Sequence, residues 1–224
     1  MKNMLFLLSL TFLALVLTSA HGGCAKTQKT TYTMEKYTPG NDYAADWKKV
    51  LELENKGLTE DARKVVQTIY SKAKSENNAA QTVKTLMYLY KYDTFIEENS
   101  EQKIVDQLKQ EIEQAKYPLK PVLQSVLADL YWQYFQQNRY SILNRTEVTN
   151  QDLPDFKTWD ANRFTTEITN LYLASIADAE KLKTTPVDIY GDILISPGGA
   201  RPYRPTLFDL LGHRAFDYFA NDQA

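Results

Sequence analysis

Between Pro121 and Tyr140 two rows of apolar residues run side by side at a spacing of four. One row is Val122, Val126, Leu130 and Tyr134; the other is Leu123, Leu127, Tyr131 and Phe135. Only an α-helix places such rows on adjoining strips of one face. A face that wide needs cover from several neighbours, so the segment predicts a central helix in an all-α protein. Pro118 and Pro121 set its start, with Pro121 in the first turn, where its missing N–H is no loss. Trp132 widens the apolar face. Gln124, Ser125, Asp129, Gln133, Gln136 and Gln137 read as its opposite, polar side.

The same period recurs along the chain. Asp42 is a suitable N-cap for a helix carrying Tyr43, Trp47, Val50 and Leu51, which Gly57 ends. Thr59 caps a second helix, with Glu60 and Asp61 in its first turn and Ala62, Val65, Val66, Ile69 and Ala73 as its stripe. Ser75 to Asn78 breaks it. A third helix over 79–95 turns Val83, Leu86, Met87 and Tyr90 inward. A fourth over 101–116 does the same with Ile104, Val105, Leu108 and Ile112. These pairs have the length of tetratricopeptide-like antiparallel hairpins, packed into one bundle or short solenoid. After a loop over 144–158, Thr158 caps a sixth helix through Trp159, Phe164, Ile168, Leu171, Tyr172 and Ile176. A short helix follows over 186–194. Three prolines and two glycines forbid a helix over 195–205. Thr206 then caps a last helix burying Leu207, Leu210, Leu211, Ala215 and Phe219.

The N-terminal part reads differently. Residues 1–23 carry Lys2, then a greasy run over 4–17, then small or polar residues, the layout of a secretory signal peptide. The run falls short of the roughly 20 residues that a membrane-crossing helix needs. Cys24, the only cysteine, stands directly behind. Two cleavage readings stay open, one after Ala20 and one before Cys24. The second makes Cys24 a lipidated N-terminus, and we prefer it because an uncapped lone thiol is a liability in an oxidising compartment. Residues 25–41, rich in Thr and Lys with a Pro-Gly pair, read as a tether able to reach about 55 Å when extended. A single α-helical domain over 42–220 is the expected body.

Composition excludes several kinds of chemistry. Lys+Arg 26 against Asp+Glu 28, evenly mixed, leaves no basic footprint for nucleic acid. Past the leader the one histidine is His213, so a Cys/His zinc site or a Cys–His nucleophile cannot be built within one chain. We therefore expect no metal and no cofactor. Asp209, His213 and Asp217 share a helical face, which reads as a charge ladder rather than a catalytic array. Gly198-Gly199 lacks the lysine and helix of a phosphate loop. Glu97 with Glu98, and Asp152 with Asp155, read as solvated loop carboxylates. In Asn144-Arg145-Thr146, Asn144 ends the central helix and Arg145 binds a neighbouring carboxylate or carbonyl. The 15 tyrosines suit a core with hydroxyls at its edge, or a recognition surface. Arg201, Tyr203 and Arg204, in the Pro-rich loop, are the candidate partner-binding residues. The competing reading is that this loop wraps the body and Tyr203 plugs a gap.

Particular stretches carry a resemblance. Tyr117-Pro118-Leu119-Lys120-Pro121-Val122-Leu123-Gln124-Ser125, Tyr131-Trp132-Gln133-Tyr134-Phe135-Gln136-Gln137-Asn138-Arg139 and Ile142-Leu143-Asn144-Arg145-Thr146-Glu147 are the longest. Arg204-Pro205-Thr206-Leu207-Phe208-Asp209, His213-Arg214-Ala215, Asp217-Tyr218-Phe219, Trp47-Lys48-Lys49-Val50 and Lys56-Gly57-Leu58 join them. Together they resemble the N-terminal helical region of alpha-2-macroglobulin-like lipoproteins of the Bacteroidetes. That resemblance implies a surface or periplasmic protease trap, with macroglobulin sandwiches, a bait segment and a Cys-x-Glu-Gln thioester in its long members. This chain holds none of these, and Cys24 precedes Ala25-Lys26-Thr27. The implied role is a non-enzymatic, lipid-anchored module of the outer membrane that docks macroglobulin-like domains or a protease. It would be a truncated product or a short relative. The alternative is a glycan- or partner-binding tetratricopeptide-like lipoprotein of the starch-utilisation type.

Overall fold

A computed structural model describes residues 43–98, 100–146, 153–194 and 203–221. The leader, the tether with Cys24, and Asp42 lie outside these residues. Among the described residues the protein is all-helical, without a named strand. Eight α-helices follow one another: α1 (Ala44–Asn55), α2 (Thr59–Ser75), α3 (Ala79–Ile96), α4 (Glu101–Gln114), α5 (Leu119–Leu143), α6 (Ala161–Ser175), α7 (Ala179–Thr184) and α8 (Leu207–Phe219). None of the described helices is long and apolar enough to cross a membrane.

The first two connections are built by the same device. Gly57 takes φ +72°, the Leu58 N–H reaches Leu53 O at 3.0 Å, and the Gly57 N–H reaches Glu54 O at 2.9 Å. This is the Schellman ending, with glycine where the left-handed residue must stand. Asn77 repeats it at φ 53°, with the Asn78 N–H on Ala73 O at 2.9 Å and the Asn77 N–H on Lys74 O at 3.2 Å. Asparagine tolerates that conformation better than any other side chain. Asn78 then caps α3, its side chain accepting from the Gln81 N–H at 3.1 Å. The segment read as a polar break is therefore one C-cap and one N-cap joined.

Two apolar clusters form, and α3 belongs to both. Val83, Leu86 and Tyr90 face the larger cluster. Leu89 and Tyr92 face the smaller one, with Tyr43, Val50, Ala62, Val66, Ile69 and Ala73 from α1 and α2. The reading of α3 as one-sided is thus corrected: it separates two cores. The larger core is organised about α5, which packs most extensively on α6 and also meets α3, α4 and α8.

The polar side assigned to α5 also needs correcting. Ser125 is fully buried and Asp129 largely so, because α8 lies over them and brings Arg214. Other boundaries differ for local reasons. Thr59 is the first residue of α2, not its cap; Leu58 precedes it without a side-chain bond. Thr158 closes a 3-10 turn over Phe156–Thr158, and Asp160 caps α6 through the Arg163 N–H at 2.8 Å. The short helix expected after Pro186 is a 3-10 turn over Val187–Tyr190. The six-residue α7 went unread, since it buries only Leu182 and so has no stripe. Thr206 does cap α8, in a capping box with Asp209. Tyr218 takes the inward place expected of Phe219, which is 46 % exposed.

Candidate functional site

Several buried and half-buried polar groups join one helix to another. Asp93 of α3 takes Arg63 of α2 at 2.7 Å. Glu54 of α1 accepts from Lys91 Nζ at 2.8 Å and from the Tyr92 hydroxyl at 2.7 Å. Glu111 of α4 accepts from Lys74 Nζ at 2.7 Å and from the Tyr70 hydroxyl. The Tyr43 hydroxyl donates to Glu76. Burial first, then the carboxylate partner, holds the Tyr70 and Tyr92 phenols well above the ordinary tyrosine value. Both stay protonated donors and cannot serve as bases.

Between α5 and α8, Arg214 Nε donates to Ser125 Oγ at 2.8 Å and Nη2 to Asp129 Oδ2 at 3.3 Å. Gln133 Nε2 donates to the same oxygen at 3.4 Å. Burial pushes the Asp129 carboxyl above its ordinary value, against the opposing pull of Arg214. Arg145 finds carbonyls, one of the two partner types anticipated for it. Its Nη1 donates to Lys157 O and Trp159 O, both at 2.6 Å. Asn144 is the C-cap of α5.

Of the candidate site residues, Cys24 and Arg201 lie outside the described residues. Tyr203 stands 84 % exposed, so it does not plug a gap. Arg204 is half-buried beside it. The chain behind them is fastened: Val187 N–H to Pro205 O at 2.9 Å and Leu207 N–H to Thr185 O at 2.8 Å. Tyr203 and Arg204 therefore project from a fixed point on the body. The Asp209–His213–Asp217 ladder is not a unit. Asp209 Oδ2 accepts from the Thr206 N–H and hydroxyl at 2.8 and 2.7 Å, and His213 Nε2 lies 3.9 Å from Asp217 Oδ1. No group of three or more His, Cys, Asp or Glu able to hold a metal occurs among the described residues.

One further constellation was missed from the sequence. Trp47 of α1 donates its indole Nε1–H to Gln81 Oε1 at 2.7 Å, and its ring meets Tyr88 with centroids 4.7 Å apart. Lys84 places its ammonium 4.1 Å above the Trp47 ring. Gln81 Nε2 reaches Asp192 Oδ2 at 3.4 Å. A signal was present: Lys84 and Tyr88 are four apart in a helix and so share a face. Along α1 alone, Trp47 reads only as part of an apolar stripe. No family model, no curated protein and no solved structure matches the chain.

Proposed function

We propose that the protein is a lipid-anchored, non-enzymatic docking module of an alpha-2-macroglobulin-like protease-inhibitor system. Cys24 is the acylated residue, and 25–41 is the tether that holds the body clear of the membrane. The helices act as tetratricopeptide-like hairpins that present shape to a partner protein. Tyr203 and Arg204, with Arg201, contribute to that contact.

The observation that carries the anchoring is the position of the sole cysteine directly behind the hydrophobic leader. A docking role is further supported by Tyr203, exposed beside backbone that is fastened to the body through Pro205 and Leu207. The macroglobulin partner rests on the stretches quoted above from Tyr117 to Glu147 and from Arg204 to Phe219.

The test has two arms. Radioactive palmitate should label the wild-type protein and leave Cys24→Ala unlabelled; equal label in both removes the anchor. The full chain should co-purify with a macroglobulin-like protein encoded beside it. Failure to do so, together with retention on a glycan resin that Trp or Tyr replacement abolishes, would instead favour the starch-utilisation type.

A further inference from the structure

The contacts between α1 and α3 advance together along both helices. Trp47 meets Gln81, Lys84 and Tyr88; Glu54 meets Lys91 and Tyr92. Seven residues of α1 separate the two ends, a run of about 10 Å. Three lysines lie over aromatic rings on this side of the molecule. Lys72 covers Tyr43 at 4.4 Å and has Asp46 at 3.6 Å. Lys91 covers Tyr88 at 5.4 Å and has Glu54 at 2.8 Å. Lys84 covers Trp47 at 4.1 Å, but no described carboxylate comes within ion-pair distance of its ammonium. Asp192 acts on it only through space, its carboxylate oxygen accepting from Gln81.

Lys84 is half-buried, and burial lowers its pKa. Taking an ammonium partly out of water without an ion partner is unfavourable, and a ring face offsets only part of that. A carboxylate arriving from outside would do for Lys84 what Asp46 and Glu54 do for its neighbours. Trp47 is already held in place by the indole bond to Gln81 and by the Tyr88 ring. Little ordering is then left to be done on binding.

We propose that this surface binds a protein partner through one acidic residue of it, whose carboxylate pairs with Lys84 beside the Trp47 and Tyr88 rings. The inference rests on the docking reading above and names the chemistry that such a partner brings. This seam runs for about 10 Å along α1. Glu54 and Asp192, at its two ends, disfavour a segment with acids in succession.

The probe is the blocked peptide acetyl-Gly-Leu-Glu-Leu-Gly-amide, added to the full body while the three indole N–H signals are followed by NMR, with Trp47→Phe identifying the Trp47 signal. That signal should move saturably below about 10 mM peptide, the weak end of specific recognition. The same peptide with glutamine for glutamate should bind about tenfold more weakly, as should Lys84→Gln with the original peptide. Lys84→Arg should keep binding to within about threefold, because the charge remains. A Trp47 signal that stays still, or a glutamine peptide that binds equally, overturns the proposal even if Lys84→Gln fails to fold. So does acetate alone moving the signal as strongly as the peptide, which would mark a small-anion contact. Failure here with co-purification intact removes the Lys84 contact and leaves the docking reading standing.

Discussion

Replacing Phe164 by alanine is expected to destabilise the body by about 3–5 kcal/mol, the cost of emptying a large aromatic site. The ring is fully buried and sits among five others. Trp159 lies 5.4 Å away, Phe135 5.8 Å, Tyr134 5.9 Å, Tyr131 6.3 Å and Phe156 6.3 Å, centroid to centroid. These rings come from α5, α6, the 3-10 turn between them and Trp159, which follows that turn, so one truncation loosens three elements. Because folded domains hold about 5–15 kcal/mol in all, the variant should lose a large fraction of its stability. For a body of this size its melting temperature should fall by about 10 °C in thermal unfolding followed by circular dichroism. A fall of only 1–2 °C would mean that the aromatic cluster is not where α5 and α6 are held together.

The second large effect concerns charge. Arg214→Met keeps an apolar stem of similar length and removes the partner of Asp129, whose side chain is only 18 % exposed. Breaking a buried pair on one side costs about 3–5 kcal/mol, because the remaining charge is left without compensation. The pH dependence has a definite sign. The folded-state pKa of Asp129 already lies above its ordinary value, so the folded chain holds that proton more tightly than the unfolded chain. This contribution to stability is fully present below the unfolded pKa and is lost as pH rises through the folded one. Without Arg214 the folded pKa climbs further. The deficit of Arg214→Met should therefore be greatest at neutral pH and shrink on acidification through that raised pKa. Asp129→Asn combined with Arg214→Met should remove the pH dependence. Denaturant titrations of wild type and variants across this range provide the check, and a deficit that ignores pH would contradict the pairing.

The same residues show what could and could not be read in the chain. The two rows of α5 were legible because helical period and a proline at the start act locally. Gly57 as the end of α1 and Thr206 as the cap of α8 were legible for the same reason, whereas the part Asp209 takes in that cap was not. Ser125 and Asp129 were misassigned to the solvent side because the residue that covers them, Arg214, lies 89 positions further on from Ser125. No period within α5 carries that information. The second face of α3 was hidden differently: Leu89 and Tyr92 are apolar, but so is most of that helix, and continuous apolarity shows no direction. Of the candidate site, Tyr203 and Arg204 stood out through their Pro-rich setting. The Lys84–Trp47 pairing did not, because it depends on two helices meeting and on what fails to reach the ammonium.

α5 is the helix about which the large core is built. Native-state hydrogen exchange tests this most directly, since core helices open only with global unfolding and peripheral ones open earlier. The amides of Leu123, Leu127, Tyr131 and Phe135 should exchange last, together with those of Phe164 and Ile168 in α6. The amides of α1 should exchange sooner, because α1 contributes to the smaller cluster only. Exchange of the α5 amides before those of α1 and α2 would contradict it.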